Sequence, residues 1–248
     1  MILPRLRAKA RELGANARPA RIVVPDEPVE IDRLVSPLRY DVLVRQRYFD
    51  FLAANLDRYV RDFEGLFAEA MSLPYYRWFA TVVVQRFFPG TSETDARAMF
   101  RDRIHQSTIL YRSVTKRGLD PRQPIMLRSG GRQVRTSTGK VLVDRVFAGD
   151  GCHRLALVRS MGWRHLPAEC CRIRIAHGWS PPDNTHTLIR ALGITHVDYI
   201  TFLSMGYADT IFTNQDELCE HVAANDPDRL KELRRILTID RPALVAAT

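Results

Sequence analysis

Residues 146–157 read Val-Phe-Ala-Gly-Asp-Gly-Cys-His-Arg-Leu-Ala-Leu, and this is the most informative stretch of the sequence. Its apolar start predicts a strand, the glycines on either side of Asp150 predict a turn, and a helix is expected from Cys152. The first turn of a helix has backbone N–H groups without intrahelical partners and a partial positive charge, which together attract anions. A strand that runs directly into such a helix start predicts a phosphate-binding turn.

The residues of this turn suit the same chemistry. Gly149 and Gly151 lack a Cβ, so the backbone can bend tightly and a phosphate can approach it. His153 and Arg154 add donors at the helix start, and an arginine can hold a phosphate with two parallel hydrogen bonds. We therefore expect Gly149, Gly151, Cys152, His153 and Arg154 to line a phosphate site.

The segments around the turn predict a fixed order of elements. Ser92 is a typical N-cap for a helix over about 93–117, and Gly118 is a typical residue to end it. After this helix we expect a strand at 124–128, a strand at 140–148, a helix at about 152–161 and a strand at 166–175.

This order and its short motifs resemble the ParB/sulfiredoxin superfamily, whose shared module binds a nucleoside triphosphate. The matching stretches are Asp120-Pro-Arg-Gln-Pro-Ile-Met-Leu127, Gly151-Cys-His-Arg154 and Leu166-Pro-Ala-Glu169, all within residues 104–175. The resemblance implies an α+β fold with a small mixed sheet, flanked by N-terminal and C-terminal helical regions. The chain then divides into a basic N-terminal arm (1–28), a helical region (29–103), a nucleotide-binding domain (104–178) and a C-terminal helical region (179–248).

The pentad Asp150-Gly-Cys-His-Arg154 distinguishes three branches of this superfamily. ParB-type partition proteins, which bind CTP and DNA, usually have a second arginine where His153 stands. Sulfiredoxins have Gly-Gly-Cys-His-Arg with a catalytic cysteine, so Asp150 departs from their pattern. Free serine kinases and related ParB-like enzymes have Asp-Gly-x-His-Arg, which fits here at every fixed position. The resemblance therefore favours a phosphotransferase or nucleotide hydrolase that uses ATP or CTP with Mg²⁺ and acts on a small molecule.

Phosphoryl transfer depends on positioning and on neutralising charge, which gives each residue of the pentad an expected role. The backbone of 151–153 and the side chains of His153 and Arg154 would bind the β and γ phosphates. Asp150 would hold Mg²⁺ or take a proton from an acceptor hydroxyl. Cys152 is either a nucleophile, activated by the helix start, or a small residue that fills the turn. The candidate catalytic residues are thus Asp150, Cys152 and His153.

A second candidate set lies near the start of the N-terminal helical region. Charged residues stand among apolar ones over 36–45, and such charges often pair with each other or line a site. In the family an early extended segment lies beside the nucleotide, so the resemblance implies Glu30, Arg39 and Asp41 as substrate-side residues.

The remaining sequence predicts mostly helix. An apolar stripe recurs every three or four residues over about 40–72, and the apolar run 75–88 predicts a buried helix or strand. Further helices are expected at about 185–192, 197–205, 216–224 and 227–237.

The distribution of charge supports an alternative function. The net charge is +9, and residues 101–154 contain 12 Lys+Arg against 4 Asp+Glu, a field that attracts polyanions. An arginine-rich coding bias accounts for this excess equally well. The alternative is a ParB-like DNA-binding protein with a nucleotide switch, for which 229–235 is the one candidate recognition helix. A scaffold without catalysis is the third class.

Composition sets the broad class and the expected compartment. The chain has 248 residues, of which 46% are hydrophobic and 26% charged, which excludes disordered, collagen-like and disulfide-rich classes. Its four cysteines have no C-x-x-C spacing, which is typical of a reducing cytoplasm. No apolar run approaches the ~20 residues of a membrane span, and the N-terminus lacks an apolar export segment. We therefore expect a cytoplasmic protein.

Overall fold

A computed structural model describes residues 21–31, 34, 40–129, 133–135, 141–143, 146–175, 195–208, 210–231, 233–234 and 237. This part of the chain combines helices with small sheets, so the predicted α+β class is confirmed. Among its helices, none is both long enough and apolar enough to span a bilayer.

The strands are β1 (Arg21–Val23), β2 (Val29–Glu30), β3 (Ile125–Ser129), β4 (Gln133–Arg135), β5 (Val141–Val143), β6 (Val146–Asp150), β7 (His165–Leu166) and β8 (Cys171–Ile175). Four of them form a mixed sheet in the order β1-β8-β3-β6. In this sheet β3 and β8 run parallel, while the other two pairs are antiparallel. Two further antiparallel pairs, β2 with β7 and β4 with β5, lie outside this sheet.

The helices are α1 (Tyr40–Ala54), α2 (Arg58–Arg61), α3 (Phe63–Ser72), α4 (Pro74–Trp78), α5 (Gln85–Phe87), α6 (Glu93–Arg117), α7 (Cys152–Ser160), α8 (His196–Tyr207) and α9 (Gln215–Asn225). A π-helical segment, Phe79–Val84, joins α4 to α5, and Ala168–Cys170 forms a 3₁₀ turn. Helix α7 contacts both the sheet and α1, so it links the strands to the N-terminal helices.

One face of the four-stranded sheet belongs to the core. Ile125 and Leu127 of β3 are fully buried, and Ile173 of the neighbouring β8 is nearly so. They alternate with more exposed residues because successive side chains of a strand point to opposite faces. The buried face meets the apolar residues of α7, of which Leu155, Ala156, Leu157 and Val158 are all buried.

Helix α6 has the bounds and caps that the sequence predicts. The Ser92 hydroxyl accepts the backbone N–H of Asp95 at 3.1 Å, which satisfies one of the unpaired donors at the helix start. At the other end Gly118 has a φ of 73°, a backbone conformation that a glycine adopts without steric cost. The helices predicted at 197–205 and 216–224 are also confirmed, as α8 and α9.

Several predicted segments are divided in the structure. The helical pattern of 40–72 is broken into α1, α2 and α3 because Asn55 and Asp62 hydrogen-bond to the backbone at the helix ends. The apolar run 75–88 is helical rather than extended. The predicted strand 166–175 is interrupted after Leu166, where Pro167 has no N–H to continue a ladder.

The division into a basic arm and three regions stays a prediction, and two structural elements bear on its bounds. Arg21–Val23, assigned to the basic arm, pairs with β8 and belongs to the sheet. The expected boundary between residues 103 and 104 falls inside α6, so one continuous helix serves both regions. The predicted strand 140–148 consists of β5 and β6, and the helix predicted at 185–192 lies outside the described residues.

Candidate functional site

The turn between β6 and α7 is made by a glycine in the left-handed region. Gly151 has φ 79° and ψ 17° and is the N-cap residue of the nine-residue helix α7. A Cβ at this position would lie 3.1 Å from an Arg154 Nη atom and 3.3 Å from the Cα of Ile125. The position therefore requires glycine for its backbone conformation and for the close approach of the helix start to β3.

Gly151→Ala should have two effects, a strained backbone and a crowded Cβ, of which Gly162→Ala has only the first. Both glycines have positive φ, so each alanine should lower the free energy of unfolding by about 1–2 kcal/mol through the left-handed backbone alone. Gly162 has open space where its Cβ would stand, whereas Gly151 does not. Urea denaturation should therefore show the larger loss for Gly151→Ala. Equal losses would mean that the crowding around Gly151 has no energetic consequence.

Gly149 lies at a β-bulge in β6, two residues before Gly151. Met126 of β3 pairs with Asp150 and Leu127 pairs with Ala148, so Gly149 is the extra residue of β6. A Cβ on Gly149 would lie 2.7 Å from the Cγ and 2.9 Å from the Nε of Arg128. The Arg128 side chain thus lies across this glycine. The sequence pattern does not single out Arg128, because only the register of the bulge places it there.

Asp150 occupies the exposed end of β6, beside the helix start. Its Oδ1 accepts the backbone N–H of Gly151 at 2.7 Å, which fixes the turn. Within the described residues, no group of three or more His, Cys, Asp or Glu side chains is placed to hold a metal ion. A divalent cation at Asp150 would therefore need most of its ligands from a bound substrate.

Arg154 belongs to the first helical turn of α7, and its side chain lies over the loop between β6 and α7. Its Nη2 donates a hydrogen bond to the backbone carbonyl of Pro124 at 3.3 Å, a long and weak contact. The same guanidinium borders the space beside the Gly151 backbone. One cation is thus held at the positive end of the helix, beside the Gly151 backbone.

Cys152 and His153 face the core of the protein. Cys152 is only 9% exposed and belongs to the apolar core. The Nε2 atom of His153 lies 3.1 Å from the Ser107 hydroxyl of α6, and its ring packs 4.7 Å from the Phe49 ring, centre to centre. Burial lowers the pKa of His153 well below its ordinary value, and the charges of Arg45 and Arg103 lower it further. His153 is therefore uncharged at neutral pH.

The substrate-side candidates are separated in the structure. Glu30 lies on β2, opposite His165. Asp41 is almost fully buried and forms an ion pair with Arg45 at 2.6 Å, one turn further along α1. Arg39 lies outside the described residues.

The structure thus collects four of the selected residues, Gly149, Asp150, Gly151 and Arg154, on one turn. It directs Cys152 and His153 inward from the same helix. Comparison of the chain with models of protein families, with curated proteins and with solved structures found no match.

Proposed function

We propose that the turn 149–154 binds the phosphates of a nucleoside triphosphate, ATP or CTP, and that the protein transfers or hydrolyses the terminal phosphoryl group. A small molecule would be the acceptor in the transfer. The proposal includes a ParB/sulfiredoxin-like fold for the module around this turn. The observation that supports it most strongly is a positive-φ glycine that starts α7 with the Arg154 guanidinium directly beside it.

The donors at this turn suit a chain of phosphates. The first backbone N–H groups of a helix have no intrahelical carbonyl, and the helix dipole adds partial positive charge at the same end. Arg154 supplies a full charge and up to two parallel hydrogen bonds. Arg128, which lies across Gly149, is a second cation on the neighbouring strand. Together they would neutralise the charge that phosphoryl transfer concentrates on the γ phosphate.

Asp150 fits the role of a ligand to Mg²⁺. Proteins commonly hold this ion through one or two carboxylates, with substrate phosphates and water completing the coordination. A single exposed carboxylate beside the phosphate turn meets that requirement, although its Oδ1 also accepts the Gly151 N–H. When bound, Mg²⁺ would neutralise phosphate charge. Asp150 itself would hold the turn in shape and orient the ion.

We assign structural roles to His153 and Cys152, instead of the roles of a charged phosphate ligand and a nucleophile. An uncharged His153 held by Ser107 fixes the orientation of α7, so its backbone rather than its side chain would contact phosphate. The buried Cys152 fills the space under the turn, as a small residue at this position would. Sulfiredoxin-type chemistry would need an accessible thiolate here.

A thermal-shift screen of the full chain with ATP, CTP, GTP and ADP, each with Mg²⁺, tests the proposal. A ligand that binds only the native state stabilises it by mass action, by about 2.7 kcal/mol at a hundredfold excess over Kd. This stabilisation raises the melting temperature. We expect ATP or CTP to raise it in a concentration-dependent manner. If no triphosphate raised the melting temperature, the nucleotide function would be contradicted, and a scaffold without catalysis would remain as the function.

DNA binding is the second candidate, and one feature of the sheet favours it. Arg128 of β3 and Arg174 of β8 are neighbours in register on the face opposite the core. Against it, Arg229 of the candidate recognition helix donates to the Gly206 carbonyl and packs on Tyr207, so it serves the fold. Affinity for duplex DNA that falls steeply with salt would support this candidate.

A further inference from the structure

A polar cavity of about 320 Å³ lies at the opposite end of α7 from the turn 149–154. The nine residues of α7 separate the two places by about 13 Å along the helix axis. Pockets for small molecules have volumes of about 300–1,000 Å³, so this one suits a small ligand. We call it the end cavity, and the side chains that matter below are those of Gln46, Asp50, Arg159, Trp163, Arg164 and Met205.

The backbone at the end of α7 brings two of these side chains to the cavity. Gly162 has a φ of 75°, and its amide donates to the carbonyl of Arg159 at 3.0 Å. The amide of Trp163 donates to the carbonyl of Val158, also at 3.0 Å. This pair of hydrogen bonds around a left-handed glycine is a common way to end a helix. It turns the chain so that Trp163 and Arg164 line the end cavity.

Arg159 holds the walls of the end cavity together. Its Nε donates to the Oε1 atom of Gln46 on α1 at 2.6 Å, and its Nη2 donates to the backbone carbonyl of Met205 on α8. One guanidinium thus joins α7 to both neighbouring helices. The cavity is therefore fixed before a ligand enters, which lowers the entropic cost of binding.

The end cavity offers a hydrogen-bond acceptor and a donor at its mouth. Asp50 and Arg164 both line it, and both residues are exposed to solvent. An ionised carboxylate only accepts hydrogen bonds, and a guanidinium only donates them. Burial raises the pKa of Asp50, and the Ser160 hydroxyl and two nearby guanidinium groups offset this only in part. The carboxylate is therefore not neutralised by its neighbours.

The charges around the cavity select a neutral ligand. Among the described residues that line it, Arg159 and Arg164 are cations and Asp50 is an anion. An ammonium group at Asp50 would also meet the two guanidinium groups, and an anion would meet the carboxylate. A neutral molecule with an N–H donor next to a carbonyl acceptor avoids both repulsions. Trp163 adds a flat aromatic surface, against which a planar ring can stack.

We propose that the end cavity binds a planar heterocycle that has an N–H donor next to a carbonyl acceptor, the edge that uracil and hypoxanthine have. Asp50 would accept the N–H, Arg164 would donate to the carbonyl, and Trp163 would contact the face of the ring. The bases of ATP and CTP lack this edge, so the end cavity is separate from the nucleotide site proposed at the turn 149–154. The proposal does not require that the turn binds a nucleotide.

NMR titration of the ¹⁵N-labelled full chain with uracil and, separately, with hypoxanthine tests this site. The chain has three tryptophans, and Trp163→Phe identifies the indole N–H signal of Trp163. We expect a saturable shift of this signal with at least one base. Uracil methylated at both ring nitrogens keeps the ring but lacks the N–H, so it should cause no shift. No saturable shift with either base, or an equal shift with the methylated one, would overturn the proposal.

Uridine and inosine carry the same edge on a sugar and distinguish two sources of the ligand. Binding as tight as that of the free bases would assign the ligand to nucleosides, and weaker binding would assign it to free bases. Both results support the site, provided that the methylated uracil does not bind.

Asp50→Ala should weaken the binding of the base by about tenfold or more, the usual cost of losing a hydrogen bond to a charged group. Because burial raises the pKa of Asp50, the folded state disfavours its ionised form, so the melting temperature should not fall. The matched control is Asp57→Ala, which removes an exposed carboxylate that makes no capping hydrogen bond to α2. Equal losses of affinity in both variants would contradict the site.

Two arginine variants separate the end cavity from the phosphate turn. Arg164→Ala should lower the affinity for the base severalfold, and an unchanged affinity would contradict its role as the donor. Arg154→Ala should retain the binding of the base, because Arg154 lies at the other end of α7. Loss of binding in Arg154→Ala would place the base at the turn and overturn the proposal. A failure of every triphosphate in the thermal-shift screen would leave these results unchanged.

Discussion

Arg154→Ala should lose about a hundredfold or more of the affinity for a nucleoside triphosphate. Charge-assisted hydrogen bonds contribute about 1.5–3 kcal/mol each, and a guanidinium can donate two of them to one phosphate. Among the described residues, the Arg154 guanidinium makes one hydrogen bond, a long one to the Pro124 carbonyl, so its removal should cost little stability. Isothermal titration calorimetry with Mg²⁺ and the nucleotide found in the thermal-shift screen measures the effect.

Arg97→Ala is the control for this variant. Its side chain is 53% exposed and pairs with Glu93 at the start of α6. It lies ten residues before Ser107 on this helix, about 15 Å away along its axis. It removes the same charge from the surface, so it measures the general electrostatic contribution to affinity. Arg154→Lys, which retains the charge but not the two parallel donors, should lie between the wild type and alanine. Equal affinities of Arg154→Ala and the wild type would contradict the phosphate role of the turn.

Phe100→Ala should destabilise the fold strongly, by about 3–5 kcal/mol. Phe100 is 0% exposed and lies at the centre of the aromatic core, with its ring centre 4.9 Å from that of Tyr76 and 5.6 Å from that of Phe79. Truncation would leave a cavity between α6 and the helices α1 and α4, which cannot close without moving other rings.

Ile109→Ala on the same helix is the matched control, because Ile109 is 65% exposed. A surface substitution of this kind usually changes the free energy of unfolding by less than about 0.5 kcal/mol. Urea denaturation of both variants gives the comparison. A loss below about 1 kcal/mol for Phe100→Ala would mean that the N-terminal helices do not pack as described.

The sequence predicts best those features that depend on neighbouring residues. The caps of α6, Ser92 and Gly118, act within one helical turn, and local pattern is enough to place them. The same holds for the turn at Gly151, where a glycine between a strand and a helix predicts a positive φ. For this reason the local sequence alone is enough to predict where the turn between β6 and α7 lies.

The features that the sequence does not predict depend on contacts between distant segments. His153 and Ser107 are 46 residues apart, and only the packing of α7 on α1 and α6 brings them together. Which side of α7 is buried also decides that Cys152 and His153 point inward while Arg154 stays at the turn. The position of the Arg128 side chain across Gly149 is not predicted for a similar reason, since the bulge at Gly149 is a property of the β3–β6 pair.

Backbone amide NMR of the ¹⁵N-labelled chain, recorded with and without the triphosphate and Mg²⁺, tests the phosphate turn most directly. We predict that the largest chemical-shift changes occur at the amides of residues 151–154, and that Arg154→Ala removes them at the same nucleotide concentration. Changes confined to other parts of the chain, with the amides of 151–154 unmoved, would contradict a phosphate site at this turn.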